Sequence, residues 1–272
     1  MRVLALILMS ATSLFAQTVP SPGPGIVGSH SGSFPTNFAY IASSVTGCYN
    51  VNPAKTSCAY NLHVNPTTGH LLVVSAIWKS TTATLTFSCT NNTTWTAIGS
   101  QKVGTGTLAA YSSQSFYIAA AVTGASPELC NSTISSAVDF IEWETAEYSY
   151  TGTLSSLDGT PQYANVTSSG SVATISGLTT SGSSDLIFAA CYGTDNSCSA
   201  GSGYTSRNDT NACASVGATP TVSCSGGSTG HSINGVTGFL IEEKTGVAAG
   251  AQTATFATGG ATDNSTLGLI GF

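Results

Sequence analysis

The chain has 272 residues, is 41% hydrophobic and only 7% charged, and carries a formal net charge of −6. That apolar content excludes disorder, which goes with few hydrophobic residues and commonly with high charge. The acidic balance argues against nucleic-acid or anionic-membrane partners, which call for basic patches; a neutral, hydroxyl-bearing partner such as a polysaccharide or cell-surface glycan fits better.

The first residues form a pattern of their own. Met1 and Arg2 make a short basic start, residues 3–9 are an apolar run, and residues 10–16 are small and mixed. This is the layout of a secretory signal peptide, with cleavage expected after Ala16. The run is far shorter than the ~20 residues that span a bilayer, and no later stretch does better. The expectation is a secreted, extracellular or cell-surface protein with no membrane span. Residues 17–35, rich in Pro and Gly, read as a flexible leader, and residues 36–272 as one β-sandwich domain.

Beyond the leader, short β-type runs alternate with Gly, Asn, Ser and Pro. Strands are expected at 38–45, 70–78, 83–88, 94–101, 115–122, 135–148, 172–175, 185–192, 219–223, 235–243, 252–257 and 265–272. In "TATLTFS", Ala83, Leu85 and Phe87 share one face while Thr82, Thr84 and Thr86 share the other, the period of a half-buried strand. "LLVVSAIW", residues 71–78, is apolar on both faces and reads as a central strand. Helix formers are scarce and β-branched residues plentiful. Many short strands with frequent turns define an all-β, antiparallel two-sheet β-sandwich, jelly-roll-like. A break into halves is conceivable at 152–159, "GTLSSLDG", but a single domain is the more economical reading.

The eight cysteines are Cys48, Cys58, Cys89, Cys130, Cys191, Cys198, Cys213 and Cys224. An even number behind a signal peptide implies disulfides, with sequential pairing the simplest arrangement. Zinc is disfavoured, because no Cys-x-x-Cys occurs and the histidines do not cluster with the cysteines.

The stretch "DFIEWETAEYSYTG", from Asp139 to Gly152, places Glu142, Glu144 and Glu147 within six residues. Strand parity puts Glu142 and Glu144 on one face with Phe140, and Ile141 and Trp143 on the other, core-facing side. The expectation is that the glutamate face is solvated. Glu147 falls on the opposite face unless a β-bulge brings it back. The spacing Glu-x-Glu-x-x-Glu resembles the Glu-x-Asp-x-x-Glu signature of the laminarinase and lichenase glycoside hydrolases, a secreted jelly-roll family. That resemblance implies Glu142 as nucleophile, Glu144 as helper and Glu147 as acid/base of a retaining endo-glycosidase, whose carboxyls stand ~5–5.5 Å apart. The middle residue departs from the signature, and the match covers six residues.

A longer resemblance rests on "GHLLVVSAIWKSTTATLTFSCTNNTTWTAIGS", "FYIAAAVTGA", "EYSYTG", "DLIFAACYG" and "GSGYTSR", in that order. Together they resemble an uncharacterised class of secreted bacterial β-sandwich proteins of jelly-roll or concanavalin-A-like type. The resemblance implies a sandwich outside the cell and assigns Glu147 to a Glu-Tyr-Ser turn; it implies no reaction.

Other candidates are weaker. His63 and His70 flank a turn, and Ser202 in "GSGYT" reads as turn chemistry. Asp195, Asn196, Asp209 and Asn211 lie in cysteine-flanked loops and are candidate calcium ligands. Trp95 is a candidate sugar-stacking platform or a core residue, with core favoured. Asn91, Asn92, Asn131, Asn165, Asn208 and Asn264 head Asn-x-Ser/Thr sequons and are expected at the surface. The reading is of a non-catalytic extracellular module that binds glycans or adheres. The glycosidase and a self-associating surface or filament subunit stand as alternatives, and the sequence assigns no oligomeric state.

Overall fold

A chain rich in Thr, Val and Ser and poor in helix formers satisfies its backbone by pairing strands. The computed structural model describes residues 35–49, 54–62, 66–119, 128–154, 156–167, 172–193, 198–207, 213–215, 231–233, 237–257 and 264–272. All of them fall in the contact unit Ser33–Phe272. The signal-peptide and leader readings lie outside them, but for Pro35, as does the strand expected at 219–223.

In chain order the strands are β1 (Thr36–Tyr49), β2 (Lys55–Leu62), β3 (Leu71–Trp78), β4 (Leu85–Cys89), β5 (Thr96–Val103), β6 (Ser112–Ile118), β7 (Glu128–Val138), β8 (Phe140–Thr151) and β9 (Gln162–Thr167). They continue with β10 (Val172–Thr180), β11 (Asp185–Gly193), β12 (Thr205–Ser206), β13 (Cys213–Ser215), β14 (His231–Ile233), β15 (Thr237–Val247), β16 (Gly250–Ala257) and β17 (Asn264–Gly271). A single three-residue 3-10 turn, Gly106–Leu108, is the only helical element among the described residues.

Two large sheets carry the fold. The first runs β13-β1-β8-β3-β6-β5, and the second β12-β15-β11-β17-β9 with β14 also on β15. Pairing is antiparallel throughout, except for the three-residue contact of β1 with β13. The sandwich expected from the sequence is therefore present. Its inner core places Leu71, Val73, Ala146 and Tyr148 of the first sheet with Leu186, Phe188, Phe239 and Ile270 of the second.

The outer faces of the large sheets are covered too. Sheet β2-β7-β4 packs Phe87, Ile134 and Val138 against Trp78, Phe116 and Trp143 of the first large sheet. Sheet β10-β16 packs Ile175 and Phe256 against Ile187, Leu240 and Leu269 of the second. Strands β1 to β8 build the first large sheet and its cover; apart from β13, strands β9 to β17 build the second pair. The chain passes between the halves after Thr151, at the break noted in the sequence. Each half has two layers of its own, and the large sheets bury one another.

Particular readings hold and others shift. Strand β3 is buried at every position, as its double-sided apolar pattern requires, and β4 alternates buried and exposed. The single strand expected at 135–148 is two. The chain leaves the cover in β7, turns at Asp139 and enters the large sheet in β8. The crossing is held by the Lys79 N–H donating to the Phe140 carbonyl and by a Lys79–Asp139 ion pair of 2.9 Å. Strands β2 and β9 escaped the sequence reading, because neither carries a distinct apolar run.

Cys89–Cys130 staples β4 to β7, and Cys191–Cys198 ties the end of β11 to the segment that follows it. Both pairs are the sequential ones expected. Cys58 is also disulfide-bonded; the side chains of Cys48, Cys213 and Cys224 lie outside the described residues.

The inner core sets the fold's stability. Phe188→Ala should cost about 3–5 kcal/mol in a denaturant titration. Thr174→Ala, on the exposed face of β10, should stay within about 0.5 kcal/mol of the parent.

Candidate functional site

Strand β8 is flanked by β1 and β3 and lies in a sheet covered on both sides. Parity then has no wet side to offer. Glu142 and Glu144 point, with Phe140 and Tyr148, toward the second large sheet and are completely buried. This overturns the expectation that they lie on a solvated face: the alternation was read correctly, but the face it leads to is interior. Their charges bear on Tyr192, whose hydroxyl meets Ser75, itself 2.8 Å from the Ser115 hydroxyl. Burial first, and the fields of Tyr163, Glu142 and Glu144 after it, push the Tyr192 phenol well above its usual range. Ile141 and Trp143 face the cover sheet, as expected.

Glu147 sits on the opposite face of β8, 1% exposed. It accepts the Thr67 N–H at 2.8 Å and meets His70 Nδ1 at 2.7 Å, fixing the turn that opens β3. The register of β8 against β3 is unbroken from Tyr148 to Ile141. The nearby irregularity belongs to β1, between Tyr40 and Ala42. The bulge that would bring Glu147 beside Glu142 is therefore absent from β8, and the two carboxylates are on different sides of the sheet. The Glu-Tyr-Ser segment expected as a turn is strand throughout.

A second cluster links the two large sheets. Arg207, just beyond β12, donates Nε and Nη2 to Glu243 of β15, and its guanidinium lies 4.0 Å over the Tyr40 ring of β1. Its carbonyl accepts the Ser43 hydroxyl. Glu243 also neighbours Tyr148, whose phenol is raised mainly by burial and then by that carboxylate. Nothing in the local sequence marks Arg207, at the end of "GSGYTSR", or Glu243 as partners. The one available signal was scarcity, since the chain has only 6 Lys and Arg.

The remaining acids behave in the same way. Buried Glu128 accepts four hydrogen bonds from the backbone and side-chain amides of Asn91 and Asn92. Glu128 also lies near the sulfurs of Cys89 and Cys130, but these are joined to each other and offer a metal no thiolate. Asp158 accepts from the Ser181 N–H and hydroxyl and the Gly182 N–H. Asp185 lies beside it, and its carboxyl is raised to about 6, by burial first and in part by the Asp158 charge. Glu242, facing the β10-β16 cover, is lifted to about 8 by burial, against the Gly201 N–H that donates to it at 2.8 Å.

The other candidates divide. Trp95 is half-buried, packs on Phe87 with ring centres 6.2 Å apart, and donates its indole N–H to the Asn92 carbonyl. Ser202 is in an exposed turn, as expected. Asn92 is buried, which corrects its reading as a surface glycan acceptor. The Asn91 and Asn165 amides are engaged with Glu128 and the Val103 carbonyl. Asp195, Asn196, Asp209, Asn211, His63 and Asn208 lie outside the described residues, as do the side chains of His231 and Asn264. No helix among the described residues is long and apolar enough to cross a membrane. No family model, curated protein or solved structure matches the chain.

Glu242 gives a test of this buried chemistry. Its folded-state value of about 8 lies above its ordinary 4.5, so the folded protein holds a proton there that the unfolded chain releases. The associated stability is complete below about pH 4.5 and is lost as pH rises through 8, up to about 5 kcal/mol in all. Glu242→Gln should flatten the denaturant midpoint against pH over that window and stabilise the protein at pH 8.

Proposed function

We propose that the protein is a secreted, non-catalytic β-sandwich module that acts outside the cell or at its surface by binding a neutral polysaccharide. The signal-peptide pattern and the disulfides support the compartment. The observation that carries the ligand class is the outward face of the two cover sheets. Thr86, Ser88, Thr133 and Ser135 on one, and Thr174, Ser176 and Thr253 on the other, are exposed and uncharged. They form cross-strand ranks, Thr86 beside Thr133 and Ser176 beside Thr253. Such ranks repeat about every 4.8 Å across strands and about every 6.8 Å along them. A hydroxylated face on which no described outward residue is charged suits a neutral hydroxyl-bearing polymer.

The unbulged β8 weighs against the glycosidase alternative, because the retaining mechanism needs its two carboxyls about 5 Å apart on one side.

Co-sedimentation with insoluble cellulose, chitin and β-1,3-glucan tests the proposal. Retention of the parent on at least one polymer is expected, weakened about tenfold or more in Thr86→Lys/Thr133→Lys, since a desolvated unpaired charge is costly. No retention on any polymer removes the glycan reading. In parallel, mixed-linkage and β-1,3-glucans should not be hydrolysed; activity that vanishes in Glu142→Gln would restore the glycosidase.

A further inference from the structure

Three chain segments meet where the chain crosses from the β10-β16 cover into the second large sheet. They are the end of β10 at Thr180, the start of β11 at Asp185, and Asp158 ahead of β9, whose N–H donates to the Gly271 carbonyl at the end of β17. Asp158 is held firmly by the Ser181 and Gly182 donors, at 2.7–3.0 Å. Asp185 is not. It is 1% exposed, and neither of its carboxylate oxygens has a hydrogen-bond partner of normal geometry, although the Thr180 hydroxyl and the Asp158 carboxyl lie beside it.

Gly182 shows how closely the two acids converge. A Cβ there would collide with Asp185 Oδ1 and stand 3.1 Å from Asp158 Oδ2. Both oxygens therefore crowd the Gly182 α-carbon, where any side chain would run into them. A buried carboxylate with no donor needs a compensating cation or a proton. Among the described residues no Lys, Arg or His forms an ion pair with either acid; the ion pairs there are Lys79–Asp139, Arg207–Glu243 and His70–Glu147.

We propose that Asp158, Asp185 and the Thr180 hydroxyl form a calcium site that pins this crossing. The donors are all oxygen, which selects a hard cation. With calcium–oxygen contacts of about 2.3–2.6 Å, one ion can take oxygens up to about 5 Å apart. Calcium also tolerates an irregular ligand set completed by water, whereas magnesium demands near-octahedral geometry. Ser181, Ser183 and Gly159, beside the acids in the chain, are exposed, so the two carboxylates lie just beneath the surface. The site uses neither Asp195 nor Asp209 as a ligand and does not depend on the glycan reading.

The test uses the full mature chain, dialysed against chelator and titrated with calcium chloride by calorimetry and by thermal unfolding. A single ion per chain is expected, with a melting temperature that rises as calcium is added and a weaker response to magnesium. Asp185→Asn should abolish the heat and the shift while keeping the parent's circular dichroism. Should that variant fail to fold, Thr180→Val keeps both carboxylates and should weaken binding about tenfold. An Asp195→Asn/Asp209→Asn variant should bind as the parent does. The proposal is overturned if the parent binds no calcium at millimolar concentration, if binding is lost in the Asp195/Asp209 variant, or if folded Asp185→Asn or Thr180→Val binds unchanged. A parent that ignores calcium while Asp185→Asn is more stable would mean that the two acids share a proton instead.

Discussion

The constraint on which the structure depends is that the central strands of both large sheets are covered on both faces. In an open two-layer sandwich each strand keeps one side in water, and that side takes the charges. Here β3, β8, β11 and β17 have no such side. Of the nine acidic residues with described side chains, all but Asp139 are buried. Ionised carboxylates are expensive in such places, at several kcal/mol each after relaxation. Each must be paired, hydrogen-bonded or protonated. Arg207 supplies the first remedy for Glu243, backbone amides the second for Asp158 and Glu128, and a raised proton affinity the third for Glu242.

Four of the buried acids share a task. Glu128 holds the Asn91–Asn92 loop, Glu147 the turn from Thr67 to His70, Asp158 the crossing at Ser181–Gly182, and Glu242 the backbone at Gly201. In each case a carboxylate on or near a strand receives N–H groups from a loop that has no strand to pair with. The loops gain the partners their backbone needs, and the acids gain the donors that offset their desolvation. Glu147, the acid/base position of the glycosidase resemblance, is in space an anchor between strand and loop.

This explains what could be read in advance. Strand β3, the alternation of β4 and the side taken by Trp143 follow from periodicity alone, because they depend on one strand and its nearest layer. The fate of Glu142 and Glu144 depends on how many layers there are. Parity says which residues share a face and nothing about what covers it. The same limit hid Glu243 and Asp185, whose neighbours are far away in sequence. Asn92 was misread for a related reason: a sequon describes three adjacent residues, while its burial is set by Glu128, 36 positions away. The split at Asp139 is subtler, since the apolar pattern runs on through a residue where the chain changes sheets.

Drawing the acids inward also decides what is left outside. The chain is acidic by formal charge, yet the exposed residues named on both cover sheets are hydroxyl-bearing and neutral. Long-range steering, which acts through surface charge, has little to act on there. If those faces bind the proposed polysaccharide, recognition comes from contact: hydrogen bonds of hydroxyls to hydroxyls, each worth only about 1 kcal/mol net. Affinity then requires many such contacts made together, on a partner that repeats. A rigid sheet supplies the array with its side chains already in place, which lowers the ordering cost of each contact. The layering that buries the glutamates and the neutrality of the outer faces are thus two consequences of one arrangement.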